Sequence, residues 1–332
     1  LKPEKTRSWE FGLNSKWLDN RLSFDLTYYK SNTINQTFTA DLSISSGYSK
    51  AYIQSGNVRN EGIEMALGYS DKWNGFAWDS HLTLSWNKNK IIKLTEGSIN
   101  PMTGEPITKD NYDMGQLGNL DARVKLYKGG SIGDVYATHR IKRDGNGNVF
   151  VSQEGKIEIE SVDEFKLGSI LPKTNMGWSN NFSYKGVNLG MTLTARFGGI
   201  ALSGTQSVLD QYGVSQVTAN YRDTGGVPIN HGYVDTEKYF DTVKGYAAYY
   251  TYSATNVRLA ELSLSYTLPK EWFRDKLRMT VGLVGKNLWM IYCKAPFDPE
   301  ATASTQSNYY QSYDYFMQPT TRNLGFSVKL NF

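Results

Sequence analysis

Only one cysteine, Cys293, occurs in the 332 residues, so no internal disulfide can form and no paired-cysteine metal site can be built. Histidine is nearly as scarce. His81, His139 and His231 lie far apart, and none stands in HExxH or a comparable ligand spacing, so no metal is expected. No run of about 18 apolar residues exists, which excludes a membrane-spanning helix. The opening LKPEKTRSWE lacks the apolar middle of a signal peptide, so the sequence reads as a soluble chain, a mature product or part of a barrel. A dominant charge is missing too. The 36 basic and 32 acidic residues leave a formal net charge of +4, without the excess or clustering that nucleic-acid binding shows, so nucleic acid is set aside. No GxSxG elbow and no phosphate-binding glycine loop appears, and neither enzyme nor cofactor is expected.

What is abundant is aromatic: 14% of the chain, including 23 Tyr and 8 Trp, the two residues favoured where an apolar slab meets water. A mean hydropathy of −0.49 means that most of the remaining surface is nonetheless wet. The apolar residues alternate. Trp9, Phe11, Leu13 and Trp17 share one parity, as do Leu22 to Tyr28, Ile63 to Tyr69, Phe76 to Trp86, Met176 to Tyr184, Val187 to Phe197, Leu262 to Leu268, Leu277 to Leu283 and Leu324 to Phe332. Successive side chains of a strand point to opposite faces, so these stretches predict about nine strands, each apolar on one face. Connections after Trp17, Tyr69, Tyr184 and Leu268 are tight and rich in turn-forming residues. Those at roughly 32–52, 94–173, 198–253 and 290–321 are long. Strict alternation of short and long predicts an up-and-down meander with all tight turns at one end.

A barrel and a soluble sandwich both bury one parity, so alternation alone leaves the two open. The tryptophans favour the barrel. Trp9 and Trp17 lie eight residues apart on one parity, as do Trp78 and Trp86. At ~3.4 Å per residue and a tilt of ~40°, each pair spans roughly 20 Å, close to the ~25 Å apolar band with its two aromatic girdles. The opposite parity is small and polar, as in Asp79, His81, Thr83 and Ser85, and suits a hydrated lumen. Ser15, Ser80 and Asn180 are exceptions on the apolar parity, and NVRLAEL needs a bulge or register break near Ala260. A chain that enters from the loop side and ends on the turn side crosses an odd number of times. Bacterial single-chain barrels have even strand numbers, so residues 1–332 are expected to form only part of one.

The stretches LKPEKTRSWEFGL, RLSFDLTYYKSNT, GNVRNEGIEMAL, FKLGSILPKTNMGWSNNFSYKG, NVRLAELSLSYTLP, VGKNL, FDPE and NLGFSVKLNF resemble the SusC/RagA class of TonB-dependent outer-membrane transporters. That resemblance implies an all-β transmembrane antiparallel barrel of about 22 strands, of which this chain would carry the carboxyl-terminal nine, with long extracellular loops. It also implies TonB coupling through a missing amino-terminal part that includes the plug, and a SusD-like lipoprotein resting on the loops. Uptake of oligosaccharides is the expected function. Peptide uptake, or a non-transporting adhesin or lectin-like role, is the alternative. Phe326 and Phe332, in the closing strand, would be the signal read by the barrel-assembly machinery.

Candidate ligand contacts are the loop aromatics Tyr246, Tyr249 and Tyr250 in GYAAYYTY and Tyr309, Tyr310 and Tyr313 in NYYQSYDYF, whose faces suit sugar rings or peptides. The bland reading is that they pack the loops together. Residues 203–220 have helical spacing at Val208, Leu209 and Tyr212. DGNGN, Asp144–Asn148, reads as a hairpin tip, since its sixth and twelfth positions, Val149 and Gly155, break the calcium-loop pattern. Glu64 and Asp79 share the lumenal parity and read as lumenal charge.

Overall fold

The computed structural model describes residues 3–41, 50–95, 111–152, 156–229, 232–274, 276–301 and 311–332. Its first four strands, β1 (Lys5–Trp17), β2 (Leu22–Asp41), β3 (Lys50–Trp73) and β4 (Phe76–Lys93), form consecutive hairpins. A four-stranded sheet follows: β5 (Asn111–Gln116), β6 (Arg123–Tyr127), β7 (Asp134–Ile141) and β8 (Ile159–Ser169). The ribbon resumes with β9 (Thr174–Tyr184) and β10 (Val187–Phe197). The next excursion contains β11 (Ile200–Ser203), α1 (Gly204–Gln211), α2 (Gln216–Asp223), β12 (Val227–Ile229), β13 (Gly232–Val234), α3 (Thr236–Val243) and β14 (Thr251–Ser253). β15 (Asn256–Thr267), β16 (Arg278–Cys293), the short β17 (Tyr313–Asp314) and β18 (Asn323–Asn331) complete the chain.

Nine strands join one antiparallel sheet in the order β1-β2-β3-β4-β9-β10-β15-β16-β18, which is the meander expected from the alternation. The two hairpin turns at Asn74-Gly75 and Lys185-Gly186 are two residues long, with φ of 49° and 80° and of 45° and 86°. Positive φ at both central positions gives the twist that matches the flanking strands. Gly186 has a second reason to be glycine: a Cβ there would lie 2.8 Å from the Thr267 carbonyl oxygen. β1 and β18 each have one unpaired edge, so the sheet is an open part of a barrel. Such edges in lipid would leave backbone groups unsatisfied at several kcal/mol each.

The tryptophan-bearing parity faces outward and is uncovered. Trp9 is 70% exposed and Phe326 69%, values that a sandwich core would never leave. Trp17 and Phe332 are exposed likewise, whereas Trp78 and Trp86 are half-buried among neighbouring strands. Trp78 stacks on Phe182 at 6.2 Å and meets Tyr69 at 5.1 Å, so the turn-side aromatics form a continuous row. The three polar exceptions on this face share one explanation. Trp17 Nε1 donates to Ser15 Oγ at 3.0 Å, Trp178 Nε1 to Ser80 Oγ at 3.0 Å, and Trp78 Nε1 to Asn180 Oδ1 at 3.2 Å. An indole N–H in hydrocarbon has no water to turn to, and leaving it unpaired costs about 1–3 kcal/mol. Each polar residue is therefore an acceptor placed for a tryptophan.

Two sequence expectations are corrected. The connection at 32–52 is largely strand, because β2 and β3 stay paired out to Asp41 and Lys50. Backbone pairing needs no alternation of side chains, so the ladder continues where the apolar pattern has stopped. Similarly SDKWNG is mostly strand, with only Asn74 and Gly75 in the turn. The other long connections carry the secondary structure of a loop body, packed around Leu120, Leu202, Tyr250 and Tyr313 and, separately, around Tyr239, Phe240 and Val243. Its helices are short and capped. Ser203, Ser215 and Asp235 accept from the backbone N–H of Gln206, Thr218 and Lys238, satisfying donors that a helix start leaves open. DGNGN forms the expected hairpin tip, with Asp144 Oδ1 accepting from the N–H groups of Asn146 and Asn148.

Candidate functional site

The bulge expected near Ala260 is present, and it aims an arginine. Along β15, Leu262, Leu264 and Tyr266 face outward. Thr192 pairs with Glu261 and Leu193 with Leu259, so Ala260 is the extra residue and parity reverses beyond it. Without that reversal Arg258 would lie on the lipid face. With it, Leu259 points out and Arg258 points into the lumen, where it is 8% exposed. On the partner strand the VGKNL stretch absorbs the mismatch: Asn287 has φ 54°, and Leu259 pairs with Trp289 while Glu261 pairs with Lys286.

FDPE supplies the partners. Arg258 Nη2 donates to Asp298 Oδ1 at 2.8 Å and Nη1 to Oδ2 at 3.2 Å. Asp298 also accepts from Thr320 Oγ1 at 2.6 Å and from the Glu300 N–H at 3.0 Å, and Asn256 Nδ2 donates to Glu300 Oε1 at 3.0 Å. Burial pushes the Asp298 carboxyl up, but these donors outweigh it and hold the group below the ordinary carboxylate value, so it stays ionised at neutral pH. The result is a latch that pins the 294–322 connection to the barrel wall. Cys293 lies beneath it, its Sγ 3.5 Å from the Ala295 carbonyl oxygen. Asp298→Asn leaves Arg258 with Glu300, 3.6 Å from Nη2, as its remaining carboxylate, and removes the two charged hydrogen bonds for a loss of about 1.5–3 kcal/mol. Thiol labelling at Cys293, followed by mass spectrometry at neutral pH, should be faster by roughly tenfold or more as the connection opens.

The aromatics singled out from sequence fall into three groups. Tyr250 and Tyr313 are interior, with exposures of 0% and 2%, and the Tyr313 hydroxyl donates to Asn119 Oδ1. Neither ring is presented to a ligand, because Leu120, Val124 and Val135 from the four-stranded sheet and its turns, together with Leu202 and Ala247, close around them. Tyr249 and Tyr246 are half-buried and pack on the same body. Tyr249 meets Tyr239, Phe240 and Tyr250 edge-on, and Tyr246 lies 5.3 Å from the His139 ring. Burial raises the Tyr249 and Tyr250 hydroxyls far above their usual range and Tyr239 to about 12. Tyr309 and Tyr310 lie outside the described residues. The aromatics that the loops do present are Tyr212, Tyr233, Tyr315 and Phe316, exposed by 72%, 62%, 48% and 56%. Tyr315 stacks on Tyr313 at 6.2 Å, and the Phe316 N–H donates to Thr205 Oγ1, so this pair is fixed to α1.

Below the loops the inward face of β2, β3, β4 and β9 is polar. A cavity of about 310 Å³ is lined there by Asp25, Thr27, Glu64, Thr83, Ser85 and Asn175 among others. Glu64 pairs with Ser85, six residues from Asp79 along β4. Their separation is thus about 20 Å along the strand, far beyond the ~5–9.5 Å at which carboxylates hydrolyse glycosides. Asp79 instead lies 3.1 Å from His81. This wall is a wet surface without assembled chemistry.

Residues 1–153 match the family model described as TonB dependent receptor-like, beta-barrel. The chain is 27% identical over 348 residues to TonB-dependent receptor P3 of Formosa agariphila, covering 100% of this chain and 34% of that protein. It is 22% identical over 324 residues to TonB-dependent receptor SusC of Bacteroides thetaiotaomicron, covering 93% of this chain and 31% of that protein. Among solved structures, the RagAB peptide importer in its closed-closed state superposes with a TM-score of 0.71 at 18% identity, over 99% of this chain and 35% of that one. The chain therefore spans about a third of the length of the curated relatives it matches. TonB-dependent receptors are transport proteins rather than enzymes, and the open ribbon with its uncovered apolar stripe is what a third of such a molecule should look like. In sequence and in fold this ribbon is similar to part of the outer-membrane β-barrel of TonB-dependent receptors of the SusC/RagA kind.

Proposed function

We propose that residues 1–332 form the carboxyl-terminal part of the barrel of an importer that takes up oligosaccharides, driven by TonB and lidded by a SusD-like surface lipoprotein. The observation that carries the substrate class is the set of exposed loop rings, Tyr212, Tyr233, Tyr315 and Phe316, at the end of a ribbon whose inner face is polar. Flat aromatic faces match the apolar CH faces of sugar rings, and the hydroxyl-rich wall offers hydrogen bonds along the passage. Tyr246 and Tyr249, half-buried against His139 and against Tyr239, Phe240 and Tyr250, would shape the loop body more than touch ligand. On the same reading Phe326 and Phe332 are the assembly signal. Peptide uptake is the second reading, supported by the shared fold with a peptide importer.

The test uses the full-length receptor with its lipoprotein, titrated calorimetrically against a panel of oligosaccharides and a panel of peptides. Oligosaccharide binding should fall by about tenfold or more in a Tyr315→Ala/Phe316→Ala variant. Binding of peptides and of no glycan would overturn the substrate class.

A further inference from the structure

We infer that the outward face of β1 to β4, just above the loop-side tryptophans, is a binding surface for phosphorylated lipid headgroups of the outer leaflet. The register assembles it. Trp9, Lys30, Glu61 and Lys88 lie directly opposite one another across four strands, and the next outward row is Arg7, Asn32, Arg59 and Lys90. Lys5 continues the outward parity of β1 beyond Arg7. All of these share the face of Phe11, Tyr28, Ile63 and Trp86, which lie one pair nearer the apolar band. The two rows therefore stand about 5–7 Å apart along the strands. With strands tilted by ~40°, each row also changes depth by roughly 9 Å across the four strands, so the patch crosses the headgroup layer, about 5–8 Å thick, at a slant.

Charge balance on this face is one-sided. Six cations, Lys5, Arg7, Lys30, Arg59, Lys88 and Lys90, meet one carboxylate, Glu61, which stands between Lys30 and Lys88. Arg59 is directly opposite Lys90, a pairing that like charges make unfavourable unless an anion lies between them. Arg59 Nε is satisfied by Asn32 Oδ1 at 3.0 Å, which orients the guanidinium along the row. None of the six makes an ion pair with another described residue, and Lys5, Arg7, Lys88 and Lys90 are exposed. Beside Trp86 a cavity of about 400 Å³ opens, and Lys88 and Lys173 line it; Lys166 lies in the same cavity, bound to Asp134 at 2.6 Å. Six cations around one carboxylate, beginning one residue pair beyond the girdle row of Phe11, Tyr28, Ile63 and Trp86, fit clustered phosphates, which arginine and lysine bind together.

The experiment uses the full-length barrel in detergent, titrated with phosphorylated lipid A and with lipid A stripped of phosphate, and read by native mass spectrometry. In a Lys30→Gln/Arg59→Gln/Lys88→Gln/Lys90→Gln variant, retention of the phosphorylated lipid should fall by about tenfold or more. Stripped lipid should bind the variant and the unaltered protein alike. A control carrying Lys16→Gln, Lys72→Gln, Lys185→Gln and Lys270→Gln at the tight-turn end should retain phosphorylated lipid normally. Should the fourfold variant fail to show a heat-modifiable folded band, single Lys88→Gln and Lys90→Gln variants should give graded losses. Equal retention by variant and unaltered protein, equal loss in the control, or loss of a co-purifying polypeptide in place of lipid would each overturn the assignment.

Discussion

Arg258→Leu should cost the barrel about 3–5 kcal/mol, whereas deleting Ala260 should leave the arginine facing the lumen. Ala260 is the extra residue between Leu259 and Glu261, which pair with the adjacent Leu193 and Thr192. Without it β15 alternates regularly, with Leu262 out, Glu261 in, Leu259 out and Arg258 in, the same facing that the bulge gives. Removing the guanidinium is different. It strands Asp298, 8% exposed as a side chain and held by Arg258. The loss is a large part of the net stability of a typical domain, about 5–15 kcal/mol. The measurement is the heat-modifiable folded band in outer-membrane fractions, followed against temperature. Its transition should fall for Arg258→Leu and stay near that of the unaltered protein for the deletion, and equal transitions for Arg258→Leu and the unaltered protein would show that the arginine holds nothing.

Legibility in the sequence followed the physics of each region. Where lipid lies on one side and water on the other, the two parities differ so sharply that all nine ribbon strands can be read directly, and the break at Ala260 stands out because the rule around it is strict. Inside the loop body no such contrast exists. NYDMGQ is a strand whose residues are buried irregularly by neighbours more distant in sequence, so β5 to β8 left no periodic trace. Tyr250 and Tyr315 look alike in sequence, yet one is enclosed in the core with Leu120, Leu202 and Tyr313, edge-on to Tyr249, and the other is open, a difference decided by which residues distant in sequence close around each ring. Arg258 and Asp298 stand 40 residues apart. The bulge could have signalled that an inward arginine needs a carboxylate, but not which one. The basic patch is the extreme case: Lys5, Arg7, Lys30, Arg59, Lys88 and Lys90 are scattered through ninety residues of a nearly neutral chain and become neighbours only through strand pairing.

Leu82→Arg should destabilise the barrel by about 2–4 kcal/mol, whereas Thr83→Arg, one residue away, should fall within about 0.5 kcal/mol of the unaltered protein. Leu82 lies midway between Trp78 and Trp86 on the outward parity, in a row with Phe24, Leu67 and Trp178. That puts a charge there close to the centre of the apolar band, where neither girdle nor headgroup is within reach. Thr83 points the other way, among Asp25, Glu64 and Ser85, and its hydroxyl makes only a 3.4 Å contact with the Gly177 carbonyl. An arginine at that position meets water and carboxylates. Urea-induced unfolding of the full-length barrel in detergent or lipid vesicles, followed by tryptophan fluorescence, compares the two substitutions on one scale. A soluble sheet protein would place Leu82 against a second layer and would also suffer from the first substitution, so the loss alone decides little. The discriminating result is its dependence on depth: Trp86→Arg, at the girdle, should cost far less than Leu82→Arg, because an arginine there can reach the headgroups. A protein core has no such gradient along a strand, and equal losses at residues 82 and 86 would mean that this face does not meet lipid.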